Sequence, residues 1–167
     1  MSVHLTPLRV EDAEEMVTVL ADPALYTVIG GEPPALEALR RRYAAQVAGS
    51  AEPAERWLNW VVRRDEDGAA VGYVQATVAV PDATADVAWV IGVAWQGHGY
   101  ATGAARLMVA ELAGLGVRRL VAHVAPGHAA SEGVARALGL APTGPVVDGE
   151  TAWIRHVPDN PAQTHPE

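Results

Sequence analysis

Two glycines one residue apart, in Ala94-Trp95-Gln96-Gly97-His98-Gly99, are the residues whose type and spacing could do chemistry. The apolar run Asp86 to Val93 before them reads as a buried strand. After them Tyr100, Ala104, Leu107, Met108 and Leu115 recur at helical spacing on one face. A strand-to-helix turn of this kind offers N–H groups with no intrahelical partner, at the end where the helix dipole favours negative charge. Three readings fit it: a tight turn that needs positive φ, a cradle for a pyrophosphate, or a dinucleotide-binding loop on Gly97, Gly99 and Gly103. The dinucleotide loop expects an acid ending the next strand to hold a ribose, and His123-Val124-Ala125-Pro126 has none. The pyrophosphate cradle is favoured.

The elements that must position this turn follow from periodicity and punctuation. Val3 to Leu8 reads as an edge strand carrying Pro7, then Glu11 to Leu20 as a helix with acids in its first turns. Ala24 to Glu32 reads as a loop, unusually apolar at Leu25, Tyr26 and Ile29, so it packs down or lines a pocket. Pro33-Pro34 opens a helix to about Val47, and Gly49 to Glu55 is the internal segment expected to be disordered. Trp57–Arg64 and Val71–Val80 form a hairpin around Asp65-Glu66-Asp67-Gly68. Beyond the long helix come a strand at Arg119–Ala125, entered in parallel, a short helix at Ser131–Leu138, and strands near Leu140–Gly144 and Thr151–Val157. Mixed strands and helices in this order make an α+β (mixed α/β) sandwich of one domain, residues 1–157, with a loose tail at 158–167.

Composition narrows the function classes. With 167 residues, half of them apolar, the chain can bury a core of its own. A net charge of −8 argues against nucleic-acid binding, and no apolar run approaches a membrane span. The start, Met1-Ser2-Val3-His4, carries no export signal, so a cytoplasmic location is expected. There is no Cys, hence no cysteinyl acyl intermediate and no thiolate metal site. No histidine pair has ligand spacing, so no metal is expected. The pairs and triplet Arg40-Arg41-Arg42, Arg63-Arg64 and Arg118-Arg119 read as solvated faces by default, with anion sites as the alternative.

Gln96-Gly97-His98-Gly99-Tyr100-Ala101 matches the pattern Q/R-x-x-G-x-G/A, and on it the chain resembles the GNAT superfamily of N-acetyltransferases. Leu5-Thr6-Pro7-Leu8 with Glu11-Asp12-Ala13, Asp86-Val87-Ala88-Trp89, and Ala130-Ser131 with Ala137-Leu138-Gly139-Leu140 resemble its ribosomal-protein N-terminal acetyltransferase branch. The resemblance covers roughly residues 3 to 157. It implies the GNAT fold: a twisted, mostly antiparallel sheet of about seven strands and about four helices, splayed at a parallel pair that admits the pantetheine arm. It implies acetyl-CoA as cosubstrate and an amine acceptor, a peptide N-terminus or a small molecule, with a homodimer as one assembly.

The same resemblance assigns roles. Gln96, Gly97, His98, Gly99, Tyr100, Ala101 and Thr102 would hold the coenzyme, and Ile91, Gly92 or Val93 would supply the oxyanion's N–H donor from a bulge. A glycine lying under tryptophan packing is the other reading of Gly92. Asp86, where the branch often has Glu, would take the amine proton directly or through water. His128 stands in the place of a pantetheine-contacting Asn; the usual tyrosine acid falls on Ala135, which leaves Ser131 to assist the thiolate. Ser131 could equally be a helix cap. Leu25, Tyr26 and Trp153, with Asp86, would shape the acceptor pocket. A non-catalytic acetyl-CoA sensor and a nicotinamide oxidoreductase are the alternatives.

Overall fold

Strands that are apolar on both faces belong in the middle of a sheet covered on both sides, and the chain places such strands at its centre. The computed structural model describes residues 2–157, so the expected tail at 158–167 lies outside the described residues. Seven strands form one sheet: β1 (Val3–Pro7), β2 (Glu55–Arg64), β3 (Ala70–Ala79), β4 (Thr84–Ile91), β5 (Arg119–Val124), β6 (Ala141–Val147) and β7 (Glu150–His156), in the order β1-β2-β3-β4-β5-β7-β6. Every neighbouring pair is antiparallel except β4 and β5. The helices are α1 (Ala13–Val19), α2 (Tyr26–Ile29), α3 (Leu36–Ala48), α4 (Tyr100–Gly114) and α5 (Ala129–Ala137).

The two sheet faces bury separate clusters. Ala104, Met108 and Leu112 of α4 and Val134 of α5 pack on Val74, Val87, Leu120 and Trp153. On the opposite face Met16 of α1 and Leu39 and Tyr43 of α3 pack on Val61 and Val90. Arg63 locks α1 to the sheet by ion pairs to buried Asp12 (3.1 Å) and to Glu15 (2.8 Å). Arg63 is thereby neutralised, as Arg64 is by Asp67, so neither offers an anion site.

Three local expectations are corrected. The apolar loop after α1 is largely helical, a 3-10 turn at Pro23–Leu25 running into α2, because its Leu25 is needed by the core. The connector before β2 closes through turn bonds, Glu52 N–H to Ser50 Oγ and Glu55 N–H to Glu52 C=O, instead of being disordered. β4 stops at Ile91, two residues short of Val93, which opens a 3-10 turn at Val93–Trp95.

β3 and β4 approach so closely that one position must be glycine. A Cβ on Gly72 would overlap the Val90 carbonyl oxygen and come within 2.9 Å of Ile91 Cα, both backbone atoms that cannot rotate away. Gly72→Ala is therefore expected to lower stability by about 3 kcal/mol, the upper end for overpacking. Urea unfolding checks this; a loss under about 0.5 kcal/mol would mean the strands separate freely.

Candidate functional site

The first turn of α4 borders a cleft because of how the chain enters the helix. Gly97 and Gly99 have φ of 81° and 79°, the left-handed region, and Gly99 is the N-cap. A Cβ on either would meet no protein atom within 4 Å, so the backbone conformation, not packing, calls for glycine. Gly103 is the first residue bonded within the helix, to the Gly99 carbonyl at 3.1 Å, and the amides before it point out of the helix end. The Gln96 side chain donates to the Ile91 carbonyl at 3.0 Å and ties the loop to the end of β4. His98 stands on the exposed side of the loop, its ring 5.5 Å from that of Tyr100, which is itself buried.

Below this loop the sheet divides. β4 and β5 pair only at Thr84↔Arg119, Ala85↔Leu120 and Asp86↔Val121 among the described residues. Beyond Asp86, β4 stays with β3 and β5 with β7. Backbone groups of a strand alternate between its two edges. The Gly92 N–H donates to the Val71 carbonyl at 2.9 Å, toward β3, so alternation turns the N–H groups of Ile91 and Trp89 toward the gap. Of the three donors expected, Gly92 is thus engaged in the sheet, and Val93 sits past the strand in the 3-10 turn. No register shift marks a bulge there; a Cβ on Gly92 would lie 2.6 Å from the Val19 carbonyl and 2.9 Å from the Trp95 ring, which is the packing reading. Trp89, which was not among the three, turns a second N–H toward the gap, deeper than that of Ile91.

The gap opens into a cleft of about 340 Å³. Leu25, Val28 and Ile29 form one wall, and His128, Ser131 and Val134 the other. Val93, Gln96, Gly97, Gly99, Tyr100, Ala101 and Thr102 line its upper end, and Trp89, Val90 and Ile91 its floor. Ser131 lies inside the first turn of α5, whose N-cap is His128, so the capping reading of Ser131 fails. Ala135 is fully buried, and Val134 continues the wall beyond Ser131, so the missing tyrosine's position faces the core.

The model of the GNAT acetyltransferase domain family matches residues 2–141. The chain is a GNAT acetyltransferase. An acetyltransferase from Thermus thermophilus is 24% identical, with 94% of this chain and 98% of that one covered at a TM-score of 0.74. The aminoglycoside acetyltransferase AAC(6')-Ib in complex with coenzyme A is 18% identical, covering 93% and 95% at 0.76. The microcin self-immunity acetyltransferase MccE in complex with acetyl-CoA and AMP is 15% identical, covering 93% of each chain at 0.76. No curated protein sequence matches the chain. The GNAT assignment displaces the nicotinamide oxidoreductase, and the seven-stranded sheet with its single parallel pair is the GNAT fold expected.

Three acceptor-side residues of this GNAT enzyme are placed differently from expectation. Trp153 is 4% exposed, packed in the α4–α5 core with the Arg136 guanidinium 5.3 Å above its ring. Tyr26 is tied down, its hydroxyl donating to the Leu20 carbonyl at 2.8 Å, and burial pushes its pKa up. Asp86 does not line the cleft; it is the last β4 residue paired with β5, at the base of the gap. There its Oδ2 lies 3.0 Å from Nε2 of His123, with both side chains about half exposed on the face carrying α1 and α3. His123 lies on the strand expected at Arg119–Ala125, and the sheet decides which face it takes. Among the described residues no cluster of His, Asp and Glu could hold a metal, and no helix is long and apolar enough to cross a membrane.

Proposed function

We propose that the chain transfers acetyl from acetyl-CoA directly to a primary amine in a ternary complex. The division of the sheet beyond Asp86, capped by the open α4 N-terminus, carries this reading: it gives an extended arm a channel with an anion site at its mouth. Acetyl-CoA supplies the activated acetyl group. Amides of Gly97 to Thr102 receive the pyrophosphate, and the Ile91 and Trp89 N–H groups face the carbonyl oxygen, where charge develops. With no Cys in the chain, the amine nitrogen itself attacks, forming the C–N bond as the C–S bond breaks.

The Asp86–His123 pair takes the ammonium proton, through water where direct contact is not made. Asp86 accepts from the Nε2–H of His123, which fixes the tautomer and leaves Nδ1 as the basic nitrogen. Water returns a proton to the thiolate, and the Ser131 hydroxyl donates a hydrogen bond to it.

Peptide N-termini, the acceptor class of the branch the sequence resembles, and small amines are both proposed acceptors. AAC(6')-Ib has also been crystallised with kanamycin, which places aminoglycosides in the assay. Thiol release from acetyl-CoA, measured against short peptides, polyamines and aminoglycosides, tests the proposal. Amine-dependent release with an N-acetyl product by mass spectrometry is expected; release no faster than hydrolysis with every amine would leave a coenzyme-binding sensor.

Two wall residues divide their labour in this scheme. Ser131→Ala is expected to lower kcat about tenfold, the low side of a single donor's worth, with the coenzyme KM unchanged. His128→Ala is expected to raise the coenzyme KM with kcat unchanged. Steady-state kinetics on both variants with one acceptor checks the split.

A further inference from the structure

A second cavity of about 180 Å³ lies on the same sheet face as the Asp86–His123 pair, beneath α3. Its polar lining is Arg42, Tyr43 and Gln46 of α3, Asn59 of β2, and Tyr73 and Gln75 of β3. Tyr43 is 4% exposed, and its hydroxyl has no hydrogen-bond partner among the described residues. Buried hydroxyls are nearly always paired, so an unpaired one belonging to a residue of the cavity wall leaves a donor that a group entering there can satisfy with a small shift of the ring.

The lining chemistry says which ligand. It contains no carboxylate, although acids outnumber bases 20 to 12 in the chain. Arg42 is in no ion pair among the described residues, unlike Arg40, Arg63 and Arg64. Burial raises the pKa of Tyr43, Tyr73 and Tyr26, and the Arg42 charge, close enough to be felt by all three hydroxyls, partly opposes the rise. A guanidinium beside phenol and amide donors matches a carboxylate, which accepts from all of them. A polycation would find nothing there to neutralise it.

The sheet register links this cavity to the transfer site. Gln75 is paired with Ala88, and Tyr73 with Val90, which forms the floor of the first cleft. Ala88 lies on β4 between Val90 and Asp86, on the same face as both, and its small side chain leaves that stretch open. From the β4–β5 gap to the Asn59–Gln75 row is two to three strand spacings, roughly 10–14 Å. An extended tri- or tetrapeptide spans about that much.

We propose that the Arg42–Tyr43 cavity binds the free carboxylate of the acceptor, making the preferred acceptors short amino-acid-like amines that carry an acid group. The proposal rests on the transfer reading above for its function, not for its binding. Calorimetry on the coenzyme-A-saturated protein tests it, with Ala-Ala-Ala and Ala-Ala-Ala-Ala against their C-terminal amides. The acids should bind at least tenfold more tightly, and Arg42→Gln should erase the preference. Tyr43→Phe should weaken acid binding several-fold while the melting temperature without peptide holds or rises, since an unpaired buried hydroxyl is being removed. Equal binding of acids and amides, a preference that survives Arg42→Gln, or no binding of any probe overturns the proposal. Binding with the acid preference but no thiol release would instead refute acetyl transfer and leave the carboxylate site standing. Turnover of amides as fast as acids, with Arg42→Gln silent in KM, would do the reverse.

Discussion

Gly99→Val is expected to remove acetyl-CoA binding while the far-ultraviolet circular dichroism stays native. Gly99 caps α4 at φ 79°, and the amides that follow it are the proposed anion site. A β-branched residue resists that conformation, so the turn must relax and carry the amides out of line. Hydrogen bonds to a charged group are worth about 1.5–3 kcal/mol each, so losing two weakens binding roughly 100-fold or more. Gly68 is the matched control: its φ is 71°, a Cβ there also meets nothing within 4 Å, and it lies in the β2–β3 turn. Gly68→Val should carry a similar strain and bind acetyl-CoA normally. Titration calorimetry on both proteins decides it; unchanged affinity in Gly99→Val would sink the cradle.

The second large effect is at the base of the gap. Asp86→Asn should lower kcat roughly 10²- to 10⁴-fold with coenzyme affinity intact, the range for a lost general base. His123→Gln should do the same, and the double variant should be little worse than either, because the two groups act as a unit across 3.0 Å. Multiplicative losses in the double variant would assign the two residues separate jobs. Losses below threefold in both single variants would mean that the amine sheds its proton to water unaided.

Much of the frame was legible because it is written in local rules. The strand before Gln96, the glycine turn and the helix after it follow from apolar period and left-handed φ, and the structure places them at β4, Gly97–Gly99 and α4. The same rules ended β4 two residues late, since an apolar run does not show where Val93 leaves the strand for a 3-10 turn. They also read 24–32 as a loop, where burial of Leu25 against α1 and α3 makes helical turns.

The sequence by itself determined the glycine-led helix start, the absence of a cysteine route, and the acetyltransferase resemblance, because each rests on residue type at short range. Tertiary structure decided what depends on partners far along the chain. Whether Gly92 has a free N–H turns on Val71, whether Trp153 faces a pocket turns on α5, and Asp86 gains its imidazole from a strand 37 residues away. The cavity around Tyr43 draws on α3, β2 and β3 together, and an unpaired hydroxyl shows only once all three are packed. Local pattern fixes which groups a strand or helix can offer, but sheet register and helix packing fix which of them meet.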